Sequence, residues 1–152
     1  MILLFALLSA AAPDAATSKA ICQVGRVALH DLAAIEKNPG VETYYEAGGP
    51  DHHRDLLDVC PNLRRDLPAS FPMADDQARA RANVHVPVPG PALRGVFIYQ
   101  IDVPELSDDQ TKATVHFNYQ CSGLCGGMTD AHYVRSKQGW RRDGGFIPVT
   151  VS

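Results

Sequence analysis

The sequence predicts an α+β domain in which an N-terminal helix or helices pack on a three- to four-stranded antiparallel meander. Two observations carry this expectation. Ile21, Val24, Val27, Ala28, Leu32 and Ile35 recur at spacings of three and four, the stripe of an amphipathic helix. From residue 96 onward the chain is rich in β-branched and aromatic residues, broken by turn clusters. A length of 152 residues, with 45% hydrophobic and 20% charged residues, suits one domain around one core.

The opening segment, MILLFALLSAAAPDAA, is apolar over residues 2–8 and then turns to small residues, the pattern of a secretory signal peptide. Ala10 and Ala12, or Asp14 and Ala16, frame cleavage after Ala12 or after Ala16. The usual basic start is reduced to the amino terminus, since no Lys or Arg precedes Lys19. The apolar run stops well short of the roughly 20 residues that a spanning helix needs. Cys22 follows SKAI and lacks the Leu-led pattern that precedes a lipidated cysteine. The expected organisation is a signal peptide over residues 1–16 and a single domain over residues 17–152, periplasmic or secreted, with no membrane span in the mature chain. Loss of residues 1–16 removes one acid, Asp14, leaving 14 basic and 16 acidic residues. That balance gives no general pull toward nucleic acid.

The first helix is expected from Ser18, capped by Thr17 or Ser18 and ended by the NPG at residues 38–40, where Pro cannot continue it and Gly accepts the left-handed turn. A second helical segment follows GGP with Asp51 as its cap and places Leu56, Leu57 and Val59 inward. Pro61 interrupts it, because the residue before a proline is pushed out of helical geometry, and PNLRRDL restarts a turn with Pro61 in its first position. DDQARARAN reads as a third short helix with almost no apolar face, hence a surface excursion. Residues 84–95 alternate apolar and other residues, but Pro87, Pro89 and Pro91 restrict them to an edge strand or an extended connection. Strands are then expected at residues 96–103, 111–120, 129–137 and from 140 onward. In the second of these, Val115, Phe117 and Tyr119 share one face and Thr114, His116, Asn118 and Gln120 the other.

Four cysteines in a chain that enters an oxidising space read as two disulfides, with three pairings possible. Cys121 with Cys125 is the natural local pair, because residues flanking a three-residue hairpin turn face each other at about the Cα separation that a disulfide requires. That leaves Cys22 with Cys60. A zinc site would need His116 and His132 to complete a set begun by a single cysteine pair, whereas structural pairs usually come twice. A thiol oxidoreductase would need a helix N-terminus or a cation beside the pair, and its nearest charge is Asp130.

No motif of hydrolase, nucleotide-binding or zinc-protease chemistry is present. His52 and His53 are adjacent and diverge on a helix, His30 next to Asp31 reads as a polar helix face, and His85 falls in the proline-rich connection. If the sheet curves around a pocket, Tyr99, Asp102, His116, Tyr119 and His132 come from neighbouring strands and supply its polar groups. DVPELSDD at residues 102–109 carries four acids and no base. RSKQGWRR at residues 135–142 carries four bases, Arg135, Lys137, Arg141 and Arg142, as a candidate anion or partner contact.

The run YQCSGLCGGMTDAHYVRSKQGWRR resembles a pattern in small exported bacterial proteins, where a strand enters C-G-x-L-C-G, a second strand carries a central aromatic and a G-x-W turn leads to the last strand. Cys121, Leu124, Cys125, Gly126, Tyr133, Gly139 and Trp140 match it, with Ser122 in place of the usual glycine and Gly139 directly before Trp140. This resemblance covers about 30 residues, implies a hairpin with a stapled tip, and carries no catalytic residue. The order of helices and strands is also similar to the cystatin-like and nuclear-transport-factor-2-like α+β rolls, which host enzymes, binding modules and scaffolds alike.

The functional expectation is a non-enzymatic binding or structural domain of the bacterial cell envelope, with an unknown protein or small ligand as partner and no cofactor or metal. The alternatives are a small pocket enzyme using Asp102 or a strand histidine as acid or base, and a metal-binding protein.

Overall fold

The computed structural model describes residues 15–35, 40–48, 54–82, 95–122 and 125–151. Most of the expected signal peptide, the Asp51 cap, His52, His53 and the proline-rich connection lie outside the described residues. The order of elements is helix α1 (Ala15–Leu32), strand β1 (Glu42–Tyr45), helix α2 (Leu56–Val59), a 3-10 helix (Pro61–Asp66), helix α3 (Asp76–Ala82), then β2 (Val96–Ile101), β3 (Glu105–Leu106), β4 (Lys112–Cys121), β5 (Cys125–Ser136), β6 (Gly139–Arg142) and β7 (Ile147–Val151). The class is α+β, as the sequence predicts.

The sheet differs from a three- to four-stranded antiparallel meander. Among the described residues it has seven strands in the order β1-β2-β4-β5-β6, with β3 also on β4 and β7 also on β5. The pairing is mixed, because β1 runs parallel to β2 from Glu42 opposite Val96 to Tyr45 opposite Tyr99. A parallel pair needs a long crossover, which the chain between β1 and β2 supplies with α2, the 3-10 helix and α3. The segment from residue 140 onward is two strands rather than one: β6 leaves β5 through a turn at Lys137 and Gln138, with Gly139 at φ 115°, and β7 returns to pair lower on the same strand.

Helix α1 begins at Ala15, so Thr17 and Ser18 lie inside its first turn rather than capping it; the Thr17 hydroxyl accepts from Gln110 Nε2 at 3.1 Å. The helix ends at Leu32, earlier than the NPG, and gives way to turns over residues 33–35. Its stripe of Ile21, Val24, Ala28, Leu29 and Leu32 is buried against Val115, Phe117, Ala131, Tyr133 and Trp140 of the sheet. Gly25 lets α2 approach closely, since a Cβ there would fall under 3.0 Å from methyl groups of Leu56. The second helical segment is capped by Asp55, whose side chain accepts the Leu57 amide. Pro61 opens the 3-10 helix as expected.

Helix α3 is not a surface excursion. Ala78 and Ala82 are buried and form a second core with Ala74, Val96 and Ile98 on the opposite face of the sheet. Two alanines four residues apart are stripe enough for a short helix, because the small side chain lets the backbone lie close to the strands.

Both disulfides join the expected pairs. Cys22 in α1 is bonded to Cys60 at the end of α2, with Cα atoms 5.7 Å apart, and Cys121 is bonded to Cys125, with Cα atoms 5.3 Å apart. The second pair faces in register at the tip of the β4–β5 hairpin.

Candidate functional sites on the two sheet faces

Strand alternation sorts the candidate residues. On β4, Ala113, Val115, Phe117 and Cys121 are buried on the face toward α1, the inner face, while Thr114, His116, Asn118 and Gln120 occupy the outer face. Register extends this division across the sheet: His116 faces Asp130 and Thr114 faces His132 on the outer side, whereas Tyr99 faces Tyr119 on the inner side. The five residues expected to line one pocket therefore divide. Tyr99 and Tyr119 stand on the inner face, and Asp102, His116 and His132 on the outer.

The outer residues are tied together. His116 Nδ1 lies 2.6 Å from Asp130 Oδ1, and its Nε2 lies 3.6 Å from Glu105 Oε1. Asn118 Nδ2 donates to Asp102 Oδ1 at 2.9 Å, and the Asp102 amide donates to the His116 carbonyl at 3.0 Å. Thr114 Oγ1 and His132 Nδ1 are 3.2 Å apart, and His132 is exposed. Glu46 receives Gln120 Nε2 at 3.4 Å and the Arg79 guanidinium at 2.8 Å. Partial burial pulls the His116 pKa down, but the Asp130 hydrogen bond and the charges of Asp130, Glu105 and Asp102 outweigh it and hold the imidazolium above its ordinary range. Asp130 thus orients the ring and turns Nε2 toward Glu105, the relationship between a base and its orienting acid. Among the described residues, no hydroxyl or thiol hydrogen-bonds that nitrogen.

The inner face carries aromatic rings. Phe97 and Tyr119 have centroids 5.5 Å apart at 25°, Tyr99 and Tyr119 5.7 Å at 38°, and Phe71 sits edge-on to Tyr99 at 5.3 Å. Tyr45, in register with Tyr99, spends its hydroxyl on Asp55, which is buried beneath it.

The basic run does not form one patch. Arg142 turns to the inner side, its guanidinium 4.4 Å over the Phe146 ring and 3.9 Å from Asp31, which also accepts the Tyr133 hydroxyl at 3.0 Å. Arg135 stands opposite Trp140, Arg141 stands opposite Val134 on the outer face, and Lys137 is in the turn. Asp31 therefore packs on the sheet rather than on a polar helix face with His30.

Sequence reasoning missed Asp130, Glu105, Asn118, Asp31 and Asp55. A signal existed for the first: with Cys121 opposite Cys125, stepping five residues back along one strand and five forward along the other sets His116 opposite Asp130.

Among the described residues, no group of three His, Cys, Asp or Glu side chains is arranged to hold a metal ion, and all four cysteines are taken up in disulfides. No described helix is long and apolar enough to cross a membrane. No protein-family model matches the chain, and neither a curated protein nor a solved structure shows significant similarity to it.

Proposed function

We propose that this chain is an exported, disulfide-stapled domain of the bacterial cell envelope, periplasmic or secreted, that acts by binding through the outer face of its sheet rather than by catalysis. One observation supports this reading above the others. Asp102, Asn118, His116, Asp130 and Glu105 are held by cross-strand contacts in one arrangement, so a partner meets a face that is already ordered and little entropy is lost on binding. The carboxylates select a partner that presents cationic or hydrogen-bond-donating groups. Two disulfides suit an oxidising compartment, and the apolar start of the sequence suits export.

The test is site-specific crosslinking in cells that export the chain, with a photoreactive phenylalanine analogue at position 132 on the outer face or at position 64 on the 3-10 helix. The expected result is a discrete adduct from position 132, absent from position 64 and abolished by Asp130→Arg. Equal adducts at both positions, or none at 132, would overturn the reading.

A second reading, a small acid–base enzyme, is favoured by the contact between His116 Nδ1 and Asp130 at 2.6 Å. It predicts that Asp130→Asn abolishes turnover while the crosslink at position 132 survives, since the face keeps its shape. A crosslink at position 132 with no turnover by the unaltered chain favours binding alone.

A further inference from the structure

We propose that the outer face takes a basic and apolar peptide segment: a lysine or arginine head group sits between Glu105 and Asp130 once His116 gives up its proton, and an apolar side chain two residues along the segment lies on Ile147 and Val149. This rests on the binding role proposed for that face and names the partner and its control. His116 on β4 faces Asp130 on β5, and Asp130 faces Ile147 on β7, so the three stand in one row across neighbouring strands. Helix α3 covers the β1–β2 end of this face through Val96 and Ile98. The β7 end lies open, with Ile147 48% exposed and Val149, at the bulge beyond it, 49%. These two are the large apolar side chains that the described residues leave in water. The row thus runs from an acidic place to an apolar one, and in an extended peptide residues two apart share a face and reach both.

The distribution of charge points to a cation. Glu42, Glu46, Asp66 and Asp31 each lie beside an arginine, Arg81, Arg79, Arg26 and Arg142 in turn. Asp102 after β2, Glu105 on β3 and Asp130 on β5 gather around His116 instead, and among the described residues no Lys or Arg pairs with them. An ionised carboxylate only accepts, so the 2.6 Å contact with Asp130 keeps a hydrogen on Nδ1 in both charge states of the ring. Nε2 is the atom that changes. In the imidazolium it is a donor 3.6 Å from Glu105, and the chain fills the acidic place with its own positive charge. In the neutral ring it is an acceptor beside Glu105, and the carboxylates are left without a cation. A lysine or arginine head group supplies the N–H and the charge that the ring has given up. Partial burial pulls the His116 pKa down, and the Asp130 hydrogen bond with the surrounding charges raises it on balance, so the change falls above about pH 6.5. The other titrating groups nearby are His132, two residues beyond Asp130 on β5 and 3.2 Å from Thr114 Oγ1, and Asp55, bridged through its backbone to Asp102.

The experiment titrates the full chain, disulfides intact, with the tripeptide lysine-glycine-leucine, acetylated and amidated at its ends, and follows binding by NMR. The expected result is saturable binding that shifts the signals of His116, Asp130 and Ile147 and leaves those of Tyr45 in place. Affinity should be at least about 10-fold higher at about pH 8.5 than at about pH 5.5, the linkage of one proton lost from His116. His116→Gln should make it the same at both. The peptide with glutamine for lysine should bind about 10-fold more weakly, the worth of one charged hydrogen bond. Ile147→Ser should weaken binding about 5-fold, as should glycine in place of leucine. Ile147→Ser, at an exposed position, keeps the test valid where His116→Gln disturbs the face. Absence of saturation by about 10 mM, equal affinity for the glutamine peptide, affinity unchanged in Ile147→Ser, or a pH response that survives His116→Gln overturns the proposal. With a discrete crosslink from position 132 in hand, such a result removes this partner and this switch alone; without the crosslink, the binding role of the outer face falls with them.

Discussion

The Tyr45 hydroxyl donates to Asp55 Oδ2 at 2.9 Å, while the other carboxylate oxygen of Asp55 takes the Leu57 amide at 2.7 Å. One buried acid thereby joins β1 to the start of α2, and the backbone bridge between Asp55 and Asp102 ties the same residue to the end of β2. Burial raises the Asp55 pKa to about 6, against the lowering effect of its hydrogen bonds. The folded state therefore holds the proton more tightly than the unfolded chain. The resulting stability is whole below about pH 4 and is lost as pH rises to about 6.

Asp55→Asn removes that titration while keeping a capable N-cap. The wild-type stability measured relative to this variant should fall by roughly 2–3 kcal/mol between pH 4 and pH 7, the linkage value of a two-unit shift. Urea unfolding at each pH reads it, and parallel profiles for the two proteins would show that Asp55 is not the titrating group. Asp55→Ala, which loses the cap and strands the Tyr45 hydroxyl, should cost about 2–4 kcal/mol at pH 7.

His116 behaves with the opposite partner logic. Its folded-state pKa is raised above the unfolded value, so its contribution is complete below about pH 6.5 and is lost as pH climbs through the folded value. Asp130→Asn takes away the hydrogen-bonding carboxylate and leaves the partial burial, which should bring the His116 midpoint down. NMR titration of the His116 ring proton checks the direction. A midpoint that stays put would mean that Glu105 and Asp102, not Asp130, hold the charge.

The outer face around His116 also shows how far the sequence alone reaches. The alternation of Val115, Phe117 and Tyr119 against His116 and Asn118 is visible in the residues, and it already forbids a single pocket from holding Tyr119 and His116. The pairing of Cys121 with Cys125 fixes the hairpin register and hence the His116–Asp130 contact. What the residues do not reveal is non-local. ETYY is four residues long, and it becomes a strand through its pairing with β2 on one side and the bridge from Tyr45 to Met73 on the other. Ala78 and Ala82 look like a poor apolar face until Val96 and Ile98 are set beneath them. Asp31, adjacent to His30, reads as solvated until Tyr133, 102 residues later, donates to it.

Gly25 offers a test of the α1–α2 contact. A methyl at this position meets Leu56, which is fully buried and has little room to move. Gly25→Ala gains up to about 1 kcal/mol of helix propensity but overpacks the contact by about 1–3 kcal/mol. The net expectation is a loss of about 1–2 kcal/mol, read as a lower urea midpoint. Combined with Leu56→Ala, the glycine substitution should cost less than it does alone, because the cavity left by Leu56 accepts the new methyl. Additive losses in that double-mutant cycle would show that the two residues do not press on each other.

The two disulfides should differ in what they contribute. Cys22 and Cys60 are 38 positions apart, and Cys121 and Cys125 are 4 apart. On the chain-entropy argument the long bridge stabilises by about 4 kcal/mol and the short one by about 2 kcal/mol. Replacing Cys22 and Cys60 together with alanine should therefore lower the free energy of unfolding about twice as much as replacing Cys121 and Cys125 together. The short bridge has a local effect that the long one lacks. It closes the tip of the β4–β5 hairpin in register, five residues along each strand from His116 and Asp130. Hydrogen exchange should report its removal as faster exchange at Gln120 and Gly126, with protection near Val115 and Ala131 retained. Loss of protection along the whole hairpin would instead make the staple responsible for the register, and the outer face would depend on an oxidising environment for its arrangement.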